Sequence, residues 1–436
     1  MKEILAWCSV LVVCAAAEPL TWERLISSVD EDPVLKAASQ RQTAISNRTG
    51  TKLWENLELD YKLDGLGFMK HDMELKIKPR AFGEASADAA YWKAQGEYQK
   101  SVEGSDRASV LYERYEHALR YVTRYKIQQL HLQLFQICED RIEVLHAKTG
   151  SESFDLQDLV TALEKKASLS AELIADSNAI KDSKMKLLSF TPDLDSIALD
   201  SAWLPTIDEL KSILNNASYN PESYAEVAKT KAKWLVDQKR YEEEMAGDRD
   251  YISKIGVGYV HEFGEYKYKW VTTSVSGTNI NEEWRLQRSD DDRRTIDKFY
   301  IDVGIKLPFF ASNGTTNLKR QIDVLESERD YLKVRRDASQ KISRMREEIM
   351  GLMAQRDVQK NFVDQVDAGA LFQDFAAKAG NDPLLLLRAR ESALESTLKI
   401  VKLDSDIFDV YLDLLNEMGS FARTDVENHF KAGLSK

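Results

Sequence analysis

Four short segments of this 436-residue chain alternate strictly between apolar and polar residues. Their apolar members are Leu57, Leu59, Tyr61 and Leu63; Met73, Leu75 and Ile77; Ile255, Val257 and Tyr259; and Phe299, Ile301, Val303, Ile305 and Leu307. Successive side chains of a β-strand point to opposite faces of the sheet, so this period of two predicts four strands, each with one apolar and one polar or charged face.

Two arrangements of these strands fit the pattern. They form either a small sheet packed on helices with its charges in water, or outer-membrane strands with apolar faces in lipid and charged faces in an aqueous lumen. Two hairpins distributed along a helical repeat make a poor soluble core, which favours the second arrangement. Four strands cannot enclose a lumen and no sheet edge can face lipid, so such a barrel has to be shared between several copies of the chain.

The start of the sequence predicts export. Residues 1–17 combine Lys2, an apolar stretch and a run of small alanines before Glu18, as in a secretory signal peptide. Beyond it there is no apolar run of about 18 residues, so we expect no transmembrane helix. The formal net charge of -12 argues against general nucleic-acid binding.

Cysteine usage limits the chemistry of the exported chain. Cys8 and Cys14 lie in the signal, and only Cys138 remains, which argues against a disulfide framework or a cysteine zinc site. A lipidated Cys14 is the alternative to cleavage, although Val13 precedes it where lipoprotein signals prefer a small residue. We interpret Cys138 as a small buried hydrophobic residue rather than a reactive thiol.

The sequence also repeats internally. Asp32-Pro33-Val34 is echoed by Asn220-Pro221-Glu222, Pro79 by Pro308, and Gly150 by Gly380. The repeat predicts two halves, 18–215 and 216–436, each with a helix of about 30 residues, two strands, a helix of about 65 residues, a glycine turn and a returning helix of about 35. The predicted ranges are 56–78 for the first hairpin, 252–260 and 298–308 for the later strands, 84–149 and 315–379 for the long helices, and turns near 150 and 380.

The long helices carry coiled-coil spacing. Their apolar stripes are Ile127, Leu130, Leu134 and Ile137 in the first and Ile342, Met345, Ile349 and Leu352 in the second. At 1.5 Å per residue each helix would span about 100 Å, and the stripes predict that these helices pack side by side. We expect irregular structure in the connector 191–219, in the polar insertion 261–298 and after Gly419.

No feature of the sequence predicts an enzyme. The six histidines include no pair at helical metal-ligand spacing, and neither Gly65-Leu66-Gly67 nor Gly256-Val257-Gly258 continues into a phosphate-binding fingerprint. We therefore expect no catalytic residues, no cofactor and no metal.

Three phrases resemble the TolC family of outer-membrane efflux channels. "GNDPLLLLRARESALESTLKI" (380–400) is similar to that family's second helical tip, "IDVGIKLPFF" (301–310) to the strand before its long helix, and "EDPVLKAA" (31–38) to the entry into its first helix. The resemblance implies a mostly helical α+β fold and a homotrimer in a Gram-negative outer membrane. Each protomer would add four strands to a twelve-stranded barrel, and the helical hairpins would form an α-barrel in the periplasm.

The resemblance also implies a function, an exit duct that serves a periplasmic adaptor (membrane fusion) protein and an inner-membrane pump. Small-molecule efflux and type I protein secretion remain open, as do the cargo and the pump. The competing hypothesis is a non-conducting periplasmic coiled-coil scaffold or adhesin.

The functional residues implied by the resemblance lie on the strands and at the two helical tips. Lipid-facing candidates are Leu57, Leu59, Tyr61, Leu75, Ile77, Val257, Ile301, Val303 and Ile305. Candidates for the periplasmic tip and adaptor contact are Gly150, Phe154, Leu156, Gly380, Pro383, Leu384 and Leu385, and the apolar ones among them would alternatively pack between neighbouring hairpins.

The pore gate departs from the family pattern. Some members carry two aspartates after the second tip, where this chain has Leu385 and Arg388. Asp382 and Arg388 are therefore the gate candidates. Arg388 would repel cations, or would hold the gate shut if it pairs with Glu391 or another neighbour.

Overall fold

The computed structural model describes ten stretches of the chain. They are residues 19–48, 54–64, 70–150, 154–217, 219–263, 268–273, 283–288, 295–306, 314–367 and 383–433. The predicted signal peptide with Cys14, the second tip at Gly380 and the gate candidate Asp382 lie outside these residues.

The described residues are mostly helical. The helices are α1 (Trp22–Ser27), α2 (Pro33–Ser46), α3 (Glu84–Ala147), α4 (Leu156–Phe190), α5 (Ile207–Asn216), α6 (Ala225–Gly247), α7 (Gly314–Asp367), α8 (Pro383–Glu417) and α9 (His429–Ala432). The strands are β1 (Trp54–Asp64), β2 (Lys70–Pro79), β3 (Ile252–Glu262), β4 (Tyr268–Thr273), β5 (Glu283–Arg288) and β6 (Ile296–Ile305). Among the described helices, none is both long enough and apolar enough to span a membrane.

The chain divides into two compact units. The helical unit comprises Met1–Ala44, Tyr98–Lys231 and Asp330–Lys436, and the sheet unit comprises Ile45–Glu97 and Ala232–Arg329. The long helices α3, α6 and α7 contribute residues to both units. α3 alone has 64 residues, so its axis is about 100 Å long, as predicted.

The sheet unit contains a four-stranded antiparallel sheet in the order β1, β2, β3, β6. All four predicted strands are present, each of 10 or 11 residues, which is the length that a tilted transmembrane strand requires. β4 and β5 form a separate antiparallel pair. They lie within the predicted polar insertion 261–298, so the expectation of an entirely irregular insertion was wrong.

The core of the helical unit buries part of the first predicted stripe against α4 and α8. Ile127, Leu134 and Cys138 of α3 pack with Leu169 of α4 and Leu398 of α8. Cys138 is buried, its thiol donates to the carbonyl of Ala162 over 3.2 Å, and burial raises its pKa. A buried thiol with a raised pKa is a poor nucleophile, which supports the structural interpretation of Cys138.

Two expectations about helices were wrong. The first helix of each half has 14 residues in α2 and 23 in α6, rather than about 30. The connector 191–219 contains α5, whose N-terminus has a capping box between Thr206 and Glu209. The tail after Gly419 is mostly irregular, as expected, apart from a 3-10 turn at Ser420–Ala422 and α9, and it is packed, because Phe421 and Phe430 are fully buried.

An aromatic cluster holds this tail to the helical unit. Tyr115 stacks on Phe430 with 5.2 Å between ring centroids, and its ring also contacts Trp22, Trp203 and Phe421. The tail backbone is bonded as well, since the amide of His429 donates to the Tyr115 hydroxyl over 2.9 Å. Rings at these spacings stabilise the packing beyond their buried area.

Candidate functional site

The register of the four-stranded sheet aligns its apolar side chains into rows across the strands. Three rows lie on one face, which we call the apolar face. The lower row is Leu57, Ile77, Ile255 and Val303; the middle row is Leu59, Leu75, Val257 and Ile301; the aromatic row is Tyr61, Met73, Tyr259 and Phe299. The pattern seen in single segments is therefore one continuous surface of the sheet.

Within the part of the chain that the structure describes, the apolar face is largely uncovered. Nine of its twelve row side chains are exposed and the other three are half-buried. The exposed fraction reaches 81% for Phe299 and 74% for Ile301, values typical of charged surface residues. A contiguous apolar surface of this size marks a membrane or protein contact. The alternative of a sheet packed on its own helices is therefore wrong.

A fourth row ends the apolar face toward the Glu262 end of β3. This histidine row consists of Leu63, His71, His261 and Asp297. The Nδ1 atom of His71 lies 2.6 Å from the Tyr61 hydroxyl, and that of His261 lies 2.6 Å from Asp297. At this level two imidazoles and a carboxylate replace apolar side chains on three of the four strands.

Aromatic side chains also flank the opposite end of the apolar face. Trp54 begins β1, Tyr251 precedes β3, and Phe82 follows β2; all three are exposed, Phe82 by 82%. Girdles of aromatic residues at both ends of an apolar band are a signature of transmembrane barrels. Sequence reasoning missed this second girdle because the three residues lie outside the alternating segments.

The other face of the sheet is polar and internally bonded. Lys76 pairs with Asp60 on the neighbouring strand, and its Nζ lies 3.4 Å from Glu74. The Tyr300 hydroxyl donates to Asp72 over 3.0 Å, across β3, which lies between them. Such a polar, ion-paired face suits an aqueous lumen.

Tyr300 crosses β3 over a glycine. A Cβ atom at Gly258 would lie 2.2 Å from the Tyr300 ring, so no larger residue fits there without displacing the ring. Glycine on a strand often marks such a close approach. The glycine pattern of β3, which resembles a phosphate-binding loop only superficially, thus has a packing explanation.

At the first helical tip, α3 ends at Ala147 and α4 begins at Leu156. Asp155 caps α4, since its carboxylate accepts from the amide of Gln157 over 2.8 Å. Gly150 lies in the turn. Phe154 and Leu384 pack on a cluster formed by Leu145, Leu159 and Ala162, whereas Leu156 and Leu385 are exposed. Of the candidates near the tip, Phe154 and Leu384 are therefore packed within the chain, whereas Leu156 and Leu385 are exposed and could contact another protein.

The exposed side chains continue along α4. Leu156, Val160 and Leu163 are 64%, 45% and 46% exposed and are spaced by four and three residues, so they share one helix face. Ile174 lies further along the same helix and is also exposed. Such an apolar stripe is typical of a helix that packs against another helix.

Ion pairs connect the helices near the tip. Arg388 of α8 pairs with Asp158 of α4, and Arg141 of α3 lies 3.8 Å from the same carboxylate. Glu391 lies 3.0 Å from Arg141, so the residue that we expected as a partner of Arg388 is bound elsewhere. Arg388 has a partner within its own chain, and Asp158 is the acceptor that sequence reasoning missed.

No side-chain group suggests metal chemistry in the part of the chain that the structure describes. Within those residues, His, Cys, Asp and Glu do not form any set of three or more arranged to hold a metal ion.

Solved structures with this architecture are outer-membrane proteins. The outer membrane protein VceC of Vibrio cholerae matches with a TM-score of 0.59 at 14% identity, over 91% of this chain and 96% of that one. The open state of the MtrE outer membrane channel of Neisseria gonorrhoeae matches with a TM-score of 0.59 at 11% identity, over 95% and 91%. The chain has the TolC-like outer-membrane channel fold.

A third channel agrees with this assignment. The CmeC outer membrane channel of Campylobacter jejuni gives a TM-score of 0.59 at 10% identity, over 91% of this chain and 85% of that one. No family model matches the sequence, and no curated protein matches it.

At these low identities the likeness establishes the channel fold, and the resemblance inferred from the three sequence phrases is confirmed at that level. The matched proteins are channels and outer-membrane proteins rather than enzymes.

Proposed function

We propose that this chain is the outer-membrane exit duct of a tripartite efflux or type I secretion system in a Gram-negative bacterium. The observation that carries the proposal is the apolar face, three cross-strand rows of exposed side chains bounded by aromatic residues at both ends. Lipid is the environment in which such a face is stable. The polar face behind it would then line an aqueous passage.

The sheet itself argues for several copies of the chain. Its outer strands β1 and β6 each have one neighbour among the described strands, so each carries an unpaired edge. An edge in lipid leaves backbone groups without partners, which costs several kcal/mol per group. Pairing β1 of one copy with β6 of the next removes both edges. A homotrimer, as the family resemblance implies, would close a barrel of twelve strands.

The helical hairpins would form the periplasmic part of the duct. We propose that the exposed Leu156 and Leu385 contact the adaptor protein near the first tip, with Val160 and Leu163 extending that surface. Apolar residues at this spacing suit coiled-coil contacts. Gly150, Gly380 and Pro383 would shape the turns, whereas Phe154 and Leu384 stabilise the hairpin from within. An inner-membrane pump would deliver the cargo.

At the gate, we propose that Arg388 is a closing contact rather than a cation filter. Its pairing with Asp158 ties α8 to α4, and Arg141 ties α3 to the same carboxylate and to Glu391. Separating these helices requires the ion pairs to break. Asp382 remains a candidate for a carboxylate ring at the aperture.

Fractionation of the bacterial envelope tests the proposal. The full chain is expected in the outer-membrane band of a density gradient and to stay there through an alkaline wash, because its apolar face is embedded in lipid. Release into a detergent-free periplasmic extract would contradict the duct and would favour the coiled-coil scaffold or adhesin.

A further inference from the structure

The apolar face has a smaller height along the membrane normal than the apolar band of typical barrels. The histidine row marks one end of it. In the last alternating segment of the sequence the apolar residues run from Leu307 to Phe299, and Asp297 follows. Eight residues at about 3.3 Å each, on a strand tilted by about 40°, would rise by about 20 Å. Counting from Tyr251 to Tyr259 on β3 gives about 20 Å in the same way. Typical barrels present an apolar band of about 25 Å.

The histidine row is suited to lipid headgroups rather than to acyl chains. Burying an imidazole or a carboxylate in hydrocarbon is costly, and here His71, His261 and Asp297 stand side by side on three neighbouring strands of the apolar face. The aromatic row lies directly beneath them. Phenol rings prefer the boundary between hydrocarbon and headgroups, so the two rows indicate the same level.

The free edge of the His71 imidazole matches phosphate chemistry. Tyr61 holds the Nδ1 atom of His71 at 2.6 Å, and with the phenol as donor the neutral ring carries its proton on Nε2. Asp297 holds Nδ1 of His261 at 2.6 Å. Within the described residues neither Nε2 has a protein partner. The Nε2–H of His71 is thus left to bond an oxygen acceptor outside the protein, whereas a neutral His261 donates from Nδ1 to Asp297 and keeps Nε2 as an acceptor.

We propose that the histidine row lies at the level of the phosphate-bearing headgroups of one leaflet, so that the sheet fits a bilayer whose hydrocarbon layer is thinner than average. The inference rests on the proposed membrane function. It adds the thickness of the hydrocarbon layer that the sheet fits and the headgroup chemistry at the histidine row. The bacterial outer membrane is itself thinner than an average bilayer, which is consistent with such a fit.

Reconstitution of the full chain into phosphatidylcholine vesicles of increasing acyl-chain length tests the inference. Insertion is measured by flotation after an alkaline wash in lauroyl, myristoyl, palmitoyl and oleoyl lipids. We expect insertion of the unaltered chain to be greatest in the shortest lipid and to fall several-fold in the longest. The triple variant His71→Leu, His261→Leu, Asp297→Leu adds one apolar row, about 5 Å of height, and should prefer a longer lipid.

A matched control adds apolar surface at the same height on the other face. Lys62 and Lys298 lie one residue from the histidine row and point to the polar face. The double variant Lys62→Leu, Lys298→Leu should therefore keep the chain-length dependence of the unaltered protein. An identical dependence for the unaltered chain and the triple variant would overturn this inference alone. Failure of the unaltered chain to insert into any vesicle would overturn the proposed function and this inference with it.

A second measurement avoids altering the histidines. A cysteine introduced by Leu63→Cys places an environment-sensitive fluorophore in the histidine row, and one introduced by Leu59→Cys places it in the middle row. Cys138 is buried, which protects it from labelling. In vesicles, the label at position 59 should emit as in hydrocarbon and the label at position 63 as in a hydrated headgroup layer. Equal, hydrocarbon-like emission at both positions would contradict the proposed level.

Discussion

Single residues show how polar chemistry is used inside the helical unit. Arg114 is almost fully buried, donates to Ser28 over 3.1 Å, and lies 3.1 Å from the carboxylate of Asp32. Asp32 has a second role, since its other oxygen accepts from the amide of Val34 at the start of α2. The Asp-Pro phrase that we first noted as part of a repeat is therefore a helix cap and a buried ion-pair partner at once.

Replacing Asp32 tests this double role. Asp32→Ala leaves Arg114 charged and buried without its partner, so we expect a loss of about 3 to 5 kcal/mol in the free energy of unfolding. Asp30→Ala is the matched control, because Asp30 also pairs with an arginine, Arg107, but is 75% exposed. Exposed pairs contribute about 1 kcal/mol or less. Equal losses in denaturant unfolding of the two variants would contradict the account.

His429 gives the protein an acid-sensitive position. Its burial, with help from Arg423 and Arg107, lowers the pKa to about 4 from an ordinary value of 6.5. The unfolded chain then binds a proton that the folded chain excludes, so stability falls as the pH drops from about 6.5 to about 4, by about 3 kcal/mol in total.

The pH dependence of the thermal midpoint in detergent measures this effect. His429→Phe should remove much of the decline between those pH values, whatever it does to stability at neutral pH. Lys431→Ala, two residues away and exposed, should leave the decline unchanged. If His429→Phe declined with pH as steeply as the unaltered protein, the acid sensitivity would have another source.

The polar face of the sheet has its own single-residue test. Gly258→Ala forces the Tyr300 ring away from β3 and from Asp72, so we expect less folded protein and a lower thermal midpoint. Gly351→Ala is the control, since its added methyl meets nothing within 4 Å in the helix α7. It should be neutral or stabilising by up to about 1 kcal/mol. Similar midpoints for both variants would contradict the close packing of Tyr300.

At the scale of the elements, the tip ion pairs connect three helices through one carboxylate. Asp158→Asn weakens the attraction for both Arg388 and Arg141 and should raise conductance several-fold in planar bilayers, because the closing contacts are lost. Glu164→Gln removes an exposed charge from the same helix and serves as the control. Unchanged conductance in Asp158→Asn would contradict a closing role for Arg388.

Some helices and strands could be predicted from the sequence and others could not. β1, β2, β3 and β6 were predictable because the side chains of their apolar face alternate with those of a polar face, which leaves a clean period of two. α5 was missed although Thr206 and Glu209 form a capping box with a recognisable spacing, because the prolines and Trp203 nearby suggested a loop. β4 and β5 carry only short alternations, Tyr268-Lys269-Trp270 and Trp284-Arg285-Leu286, within a stretch that was interpreted as a polar loop.

Other features depend on contacts that a sequence does not reveal. The packed tail is one, since the burial of Phe421 and Phe430 depends on rings from distant parts of the chain. The partner of Arg388 is another, because Asp158 and Glu391 are equally plausible partners in the sequence and only the packing of α4 on α8 distinguishes them. The histidine row needed the strand register, which brings His71 opposite His261.

At the scale of the whole molecule, the account depends on assembly. Among the described residues, the four-stranded sheet has an exposed apolar face and two edges without a neighbouring strand, and α4 carries an exposed apolar stripe. Such surfaces are unstable in water, and under the proposed assembly they would be covered in a closed ring placed in a membrane. The central claim is that several copies, three by family resemblance, enclose one duct.

Negative-stain electron microscopy of the full chain extracted in detergent tests that claim most directly. The account predicts end views with threefold symmetry around a stain-filled centre, and side views of long cylinders with a detergent belt at one end. Particles of single chains, or solid rods without a central opening and without bound detergent, would contradict it.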